Sequence, residues 1–299
     1  MSCQYDYAVI GGDLRQVYLV EALAGETSRV CHFALCKNPD KSRFSDTAFI
    51  NAAGSLEEAC RLSACIIGPI PLCGSDSVLS QHAFDIPLSL DSIFSGLKSD
   101  QSFFGGCIPE KYISAATQRG AHVFELMKDV SLSYYNTIAT AEGAICEAIR
   151  QSPWNLRGSS CAILGYGKCA RTLCQYLKGM GCITFIAARR EEAVAQASVI
   201  SDNAGNLKDF LFCAGTFDFI FNTIPAPVIT REALARMKST VTIIDIASSP
   251  GGVDFEAAQG LGIHASLCPG LPGKYAPAAS AEEIRKTVKR ILKEIGRSK

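Results

Sequence analysis

Short apolar runs alternate with amphipathic stretches along most of the chain. "YDYAVIGGD" (5–13) reads as a strand ending in a turn, "LRQVYLVEALAG" (14–25) as a helix closed by Gly25, and "SRVCHFALC" (28–36) as a second strand. A loop around Pro39 leads to a helix at "SLEEACRL" and to a proline-stopped strand at "ACIIGPIP". "SLDSIFSGL", "SFFGGC", "PEKYISAATQRG" and "AHVFELM" then predict helix, strand, helix and strand. Strands separated by helices need crossover connections, so this half predicts a mostly parallel sheet.

Ser131 to Arg150 predicts a longer helix interrupted at Gly143, and "QSPWNLRGS" breaks it. From Cys161 the alternation resumes: "CAILGYG", "CITFIAARR", "FDFIFNTIPA", "TVTIIDIASSPGG" and "GIHASLCPGLPG" predict strands with helical segments between them. The last stretch places Ile284, Val288, Ile291, Leu292 and Ile295 on one side of an amphipathic helix. The expected fold class is α/β in two domains. A mostly parallel α/β substrate domain is expected over 1–130, a linking helix over 131–152, a Rossmann-type dinucleotide domain over 153–275, and a C-terminal helix over 276–299 that packs back towards the first domain.

At 299 residues, 48% of them hydrophobic, the chain is long enough for two cores. Lys plus Arg equals Asp plus Glu at 29 each, so no global field favours nucleic acid or an anionic membrane, and any anion recognition must be local. No apolar run approaches the ~20 residues of a membrane helix, and the start lacks the basic and apolar regions of a signal peptide. A soluble, cytoplasmic protein is expected. The 14 cysteines include no CxxC pair, so no metal site is expected, and Cys65, Cys161, Cys174 and Cys182 read as small buried hydrophobes.

Chemistry concentrates at Gly165, Gly167 and Ala170, which with Tyr166, Lys168 and Cys169 form a GxGxxA turn between a strand and a helix. The first glycine permits the turn, the second lets backbone approach a pyrophosphate, and the small third residue lets helix and strand pack. The next strand ends in Arg189 and Arg190, where an NAD site usually keeps an acid. Two guanidiniums suit a 2′-phosphate and predict NADP over NAD; the plainer reading is two solvated arginines. The polar turns at Asn222, Thr223, Ile224 and Pro225 and from Ala247 to Gly252, with the loop around Pro272, end successive strands and predict a nicotinamide cleft. Lys274 and Asp245 are candidate proton acceptors or orienters, with a surface lysine and a turn cap as the plainer readings. Gly11, Gly12 and Arg15 read equally as an anion cradle and as an ordinary capped turn.

Taken in order, "GGDLRQ", "YNTIATAEGAI", "LGYGKCA", "FNTIPA", "IDIASSPGGVDF" and "GLPGKYAP" resemble the dipicolinate synthase A-subunit family. The likeness runs from about Gly11 to the final helix. Lys168 and Ala170 stand where the family pattern has Arg and Gly. The resemblance implies NADP-linked conversion of dihydrodipicolinate to dipicolinate in the mother cell of a spore-forming bacterium. It also implies partnership with a flavoprotein B subunit; the sequence leaves a homodimer open. A small cyclic dicarboxylate needs donors at both ends: Arg15 is expected at one, and Asn136, Thr137 and Thr140 on the linking helix at the other. Glu142 is the nearest acid, read as a helix-surface carboxylate. The alternatives are another NADP-dependent small-carboxylate dehydrogenase, shikimate-dehydrogenase-like or imine-reducing, and a non-catalytic NADP-sensing or scaffold protein.

Overall fold

Two parallel sheets organise the chain. In a computed structural model the described residues are 3–24, 28–37, 44, 48–74 and 77–296. The expected helix stop at Gly25 and the loop at Pro39 fall outside them. The chain divides into two compact units, Met1–Tyr135 with Ala276–Lys299, and Asn136–Tyr275.

The first unit holds strands β1 (Tyr5–Ile10), β2 (Val30–Phe33), β3 (Ile50–Ala52), β4 (Ser63–Ile67), β5 (Ser102–Gly105) and β6 (His122–Glu125), ordered β3-β2-β1-β4-β5-β6. Every pairing is parallel. Helices α1 (Leu14–Ala24), α2 (Leu56–Leu62), α3 (Leu90–Ser95) and α4 (Glu110–Gln118) lie between these strands in sequence. Ser55 and Ser89 start α2 and α3 by accepting a backbone N–H from the first turn. β3 lies outside the strands expected from sequence, because the three residues "INA" are too short a run to mark a strand.

Helix α5 (Val130–Gln151) runs through the expected interruption at Gly143 without a break. A Cβ at that position would lie 2.8 Å from Tyr275 and 2.9 Å from Leu271, so glycine there serves close helix contact.

The second unit holds β7 (Ser160–Leu164), β8 (Ile183–Ala187), β9 (Asn203–Gly205), β10 (Phe219–Asn222), β11 (Thr242–Asp245) and β12 (His264–Leu267), ordered β12-β11-β10-β7-β8-β9 and again wholly parallel. Its helices are α6 (Lys168–Gly179), α7 (Glu191–Ile200), α8 (Leu207–Cys213), α9 (Arg231–Leu234), α10 (Phe255–Gly260) and α11 (Leu271–Tyr275). Read from the third strand inward, both sheets have the order of a doubly wound dinucleotide fold. Cys65, Cys161, Cys174 and Cys182 are buried. Burial pushes the Cys65 thiol up, so it packs as a neutral apolar group.

Helix α12 (Pro277–Glu294) belongs to the first unit and packs on α1. Ala281, Ile284, Val288 and Leu292 join Leu19, Val20 and Leu23 in one core. At roughly 1.5–3 kcal/mol for each buried large aliphatic side chain, this seam is a substantial part of that unit's stability.

Candidate functional site

The turn after β7 is built for something other than side chains. Gly165 sits at φ +109, a backbone region that L side chains avoid, and a Cβ there would collide with Thr223 Oγ1. That hydroxyl donates to Leu164 O at 2.8 Å, so the turns after β7 and β10 are stitched together. Gly167 caps α6 without any side-chain hydrogen bond, and a Cβ added there meets nothing within 4 Å. Space thus remains open in front of the first-turn amides of α6, where a pyrophosphate fits both the free N–H groups and the helix dipole. Ala170 is fully buried, which lets α6 lie close on the sheet. Tyr166 is half-buried beneath Arg171, whose guanidinium lies 5.5 Å from the ring centroid. Burial pushes the Cys169 thiol up, keeping it neutral beside that space. These residues fit a dinucleotide.

Arg189 and Arg190 follow β8 and are exposed. Arg190 is the N-cap residue of α7 but makes no side-chain cap bond, and neither guanidinium has a hydrogen bond or ion pair among the described residues.

The loops after β10 and β11 differ from the expected polar rim. Asn222 and Asp245 are fully buried. Asp245 accepts from Asn222 Nδ2 at 2.9 Å, Ala247 N at 3.0 Å and Gly252 N at 2.7 Å, while Asn222 also donates to Ile224 O and accepts from Ile224 N. Asn222 and Asp245 are therefore internal posts of the two turns, not groups on their surface, and Asp245 spends three acceptor positions inside the protein. Ala247 is 5% exposed, so of this set Thr223, Ile224 and Pro225 are the residues that present a face. Pro272 is also corrected: it lies buried in α11 and not in a loop.

Lys274 is no free base either. It pairs with Glu147 of α5, which is 3% exposed and also accepts from Tyr275 Oη at 2.7 Å, Arg150 Nη2 at 2.7 Å and Gln151 Nε2 at 2.8 Å. Burial alone would raise the Glu147 carboxyl; the bonds from Lys274, Tyr275, Arg150 and Gln151 outweigh it and hold the group well below the usual carboxylate range. Sequence reasoning misses Glu147, although its partners in "GLPGKYAP" stand out.

Of the linking-helix donors, Asn136 is half-buried, while Thr137 and Thr140 are 2% and 8% exposed. Thr140 Oγ1 donates to Asn136 O at 2.8 Å, and Thr137 Oγ1 lies 2.7 Å from Thr172 Oγ1 on α6. Thr137 thus ties α5 to the dinucleotide helix. Glu142 is exposed, as a surface carboxylate.

In the first unit the Gly11–Gly12 turn is covered by the chain's own backbone. Gly11 N donates to Phe33 O at 3.0 Å and Gly12 N to Ser80 O at 2.7 Å. The reading of these amides as an anion cradle is overturned by those acceptors. Arg15 is 3% exposed, grips both carboxylate oxygens of Asp13 and donates to Ile70 O, so it holds the turn together.

Comparison with known proteins follows the same division. Residues 6–127 match the N-terminal domain of the dipicolinate synthase A-subunit, and residues 121–254 match the NAD-binding domain of D-isomer specific 2-hydroxyacid dehydrogenases. The dipicolinate synthase A-subunit of Bacillus subtilis (strain 168) is 27% identical over 310 aligned residues, covering 96% of each chain. The crystal structure of its counterpart from Bacillus halodurans superposes with a TM-score of 0.82 at 24% identity, covering 98% of this chain and 99% of that one. The Bacillus subtilis crystal structure gives a TM-score of 0.80 at 24% identity, covering 99% and 98%. With an open glycine turn on a parallel sheet and these matches, the chain is an NAD(P)-dependent oxidoreductase similar, along nearly its whole length, to the A-subunit of dipicolinate synthase.

Proposed function

We propose that the chain oxidises dihydrodipicolinate to dipicolinate, pyridine-2,6-dicarboxylate, with NADP as the hydride acceptor. The observation that carries the cofactor choice is the unpaired Arg189–Arg190 at the end of β8, where NAD recognition would call for an acid. The substrate choice rests on the likeness to the dipicolinate synthase A-subunit.

Bound NADP⁺ supplies an electrophilic nicotinamide carbon that takes up hydride. The protein's part is positioning. The α6 amides and Lys168 would hold the pyrophosphate, Arg189 and Arg190 the 2′-phosphate, and the turn from Thr223 to Pro225 would border the nicotinamide. Asn136, Thr137 and Thr140 orient a substrate carboxylate, while Arg15 stays with Asp13 and Ile70 O and serves the first unit's turn. One hydride leaves the ring carbon and one proton passes to water, leaving an aromatic pyridine. Aromatisation makes the step downhill, so placement counts for more than a strong base. The same likeness supports a cytoplasmic role in spore formation, beside a flavoprotein partner.

The test is to mix the purified chain with the product of a dihydrodipicolinate synthase reaction and either NADP⁺ or NAD⁺, with and without such a flavoprotein. Dipicolinate and NADPH should appear together, in proportion, in the NADP⁺ arms. Dipicolinate formed at the same rate without the chain, or none in any arm, overturns the reading. Combining Asn136→Ala with Thr140→Ala should lower kcat/KM by about tenfold while leaving NADP affinity intact.

A further inference from the structure

At the outer edge of the second sheet lies a cavity of about 570 Å³, between the start of α7 and the start of α8. Arg189 and Lys208 both line it. Their placement follows from strand register: Ala187 of β8 pairs with Gly205 of β9, and Ala188 N donates to Gly205 O at 3.0 Å. The two cations therefore follow neighbouring parallel strands about 4.8 Å apart, Arg189 just after β8 and Lys208 in the first turn of α8 after β9, within reach of one phosphate group.

Neither side chain has a hydrogen bond or ion pair among the described residues. Elsewhere in this unit Lys178, Arg236 and Lys238 pair with Asp202, Glu232 and Asp218. Two carboxylates also line the cavity. Asp209 is already used, since its Oδ2 accepts Asn206 N at 2.7 Å in the capping box of α8. Glu191 is the group that would accept a free ribose 2′-OH. Val194, Ala195 and Leu207 supply an apolar wall.

We infer that Lys208 is a specificity-determining residue for the dinucleotide: from the first turn of α8, just beyond β9, it closes, opposite Arg189, on the 2′-phosphate of the adenosine ribose. This rests on the NADP reading above. A phosphate held by two cations from two neighbouring segments makes charge-assisted bonds that a ribose hydroxyl cannot make, and Glu191 opposes it in the same cavity. The contest between Lys208 with Arg189 and Glu191 sets the preference for NADP over NAD.

The probe is adenosine 2′,5′-bisphosphate against adenosine 5′-monophosphate, titrated calorimetrically into the full chain, wild type and variants. Lys208→Ala should weaken the bisphosphate about tenfold and the monophosphate less than twofold, and Lys208→Arg should restore discrimination. Glu191→Gln should tighten the bisphosphate. A Lys208→Ala chain with the wild-type ratio overturns the inference, and if Arg189→Ala with Arg190→Ala abolishes that ratio, the NADP reading survives alone. A wild type that binds both probes equally overturns the NADP reading and this inference together.

Discussion

The two sheets have the same strand order, and each has a glycine turn joining its first strand to a helix, yet the turns have opposite fates. At both turns the first glycine's amide extends the sheet, Gly11 N to Phe33 O and Gly165 N to Ala187 O, but in the first unit Gly12 N is also taken, by Ser80 O, and Leu79 packs on the turn. At Gly165 to Gly167 the second glycine faces open space and the helix behind it has no side-chain cap. The difference lies outside the turns, in whether a later segment folds over them. A glycine-rich strand-to-helix turn is thus a permit for a ligand, and only its neighbours decide whether the permit is used.

The strongest way to break this comparison is to fill both turns. Gly165→Ala meets strained φ and Thr223 Oγ1 together, and should destabilise the second unit by about 3 kcal/mol or more and abolish dinucleotide binding. Gly11→Ala, whose Cβ would lie 2.7 Å from Ser80 O, should cost about 2 kcal/mol and leave dinucleotide affinity unchanged. Thermal unfolding with dinucleotide titration reads both. Lost affinity in Gly11→Ala with the fold intact would refute the division of roles.

Glu147 sharpens the same contrast, since it ties α5 to α11 within the dinucleotide unit. Its carboxyl is held below its ordinary value, so the stability it adds is complete above the unfolded value near pH 4.3 and falls away as pH drops towards the lower folded value. Glu147→Gln should lower stability by about 2 kcal/mol at pH 7 and flatten the loss of stability below pH 4. Denaturant titrations across pH 3 to 7 check this, and parallel acid limbs for the two proteins would contradict it.

The smallest structural effect is the most telling functionally. Gly167→Ala adds a methyl to empty space at an ordinary φ, so stability should stay within about 0.5 kcal/mol while dinucleotide affinity drops about tenfold. Unchanged affinity, measured by fluorescence titration, would mean that the ligand does not approach this backbone.

The strongly apolar strands and the GxGxxA turn are legible in the sequence because both depend on local pattern. The three-residue edge strands β3 and β9 are not, since "INA" and "NAG" are shorter than the roughly four to eight residues over which a strand pattern shows. Without β9 the place of Lys208 is hidden too, though Asn206 and Asp209 on either side of it spell a capping box. Arg15 and Asn222 mislead for another reason: a polar residue beside a turn looks available until the partner arrives from far along the chain. Asp245 reaches Asn222 from 23 residues away and Ile70 reaches Arg15 from 55.

The carbonyl of Ser80 on Gly12 acts as a tethered competitor. Because it is joined to the site by its own chain, it is present at an effective concentration on the order of millimolar or above, whatever the bulk solution contains. A free carboxylate at metabolite levels would have to displace it at a disadvantage that dilution never relieves. The first unit's turn is in that sense permanently inhibited by its own sequence, and any small acid meeting this half of the protein must find its donors elsewhere.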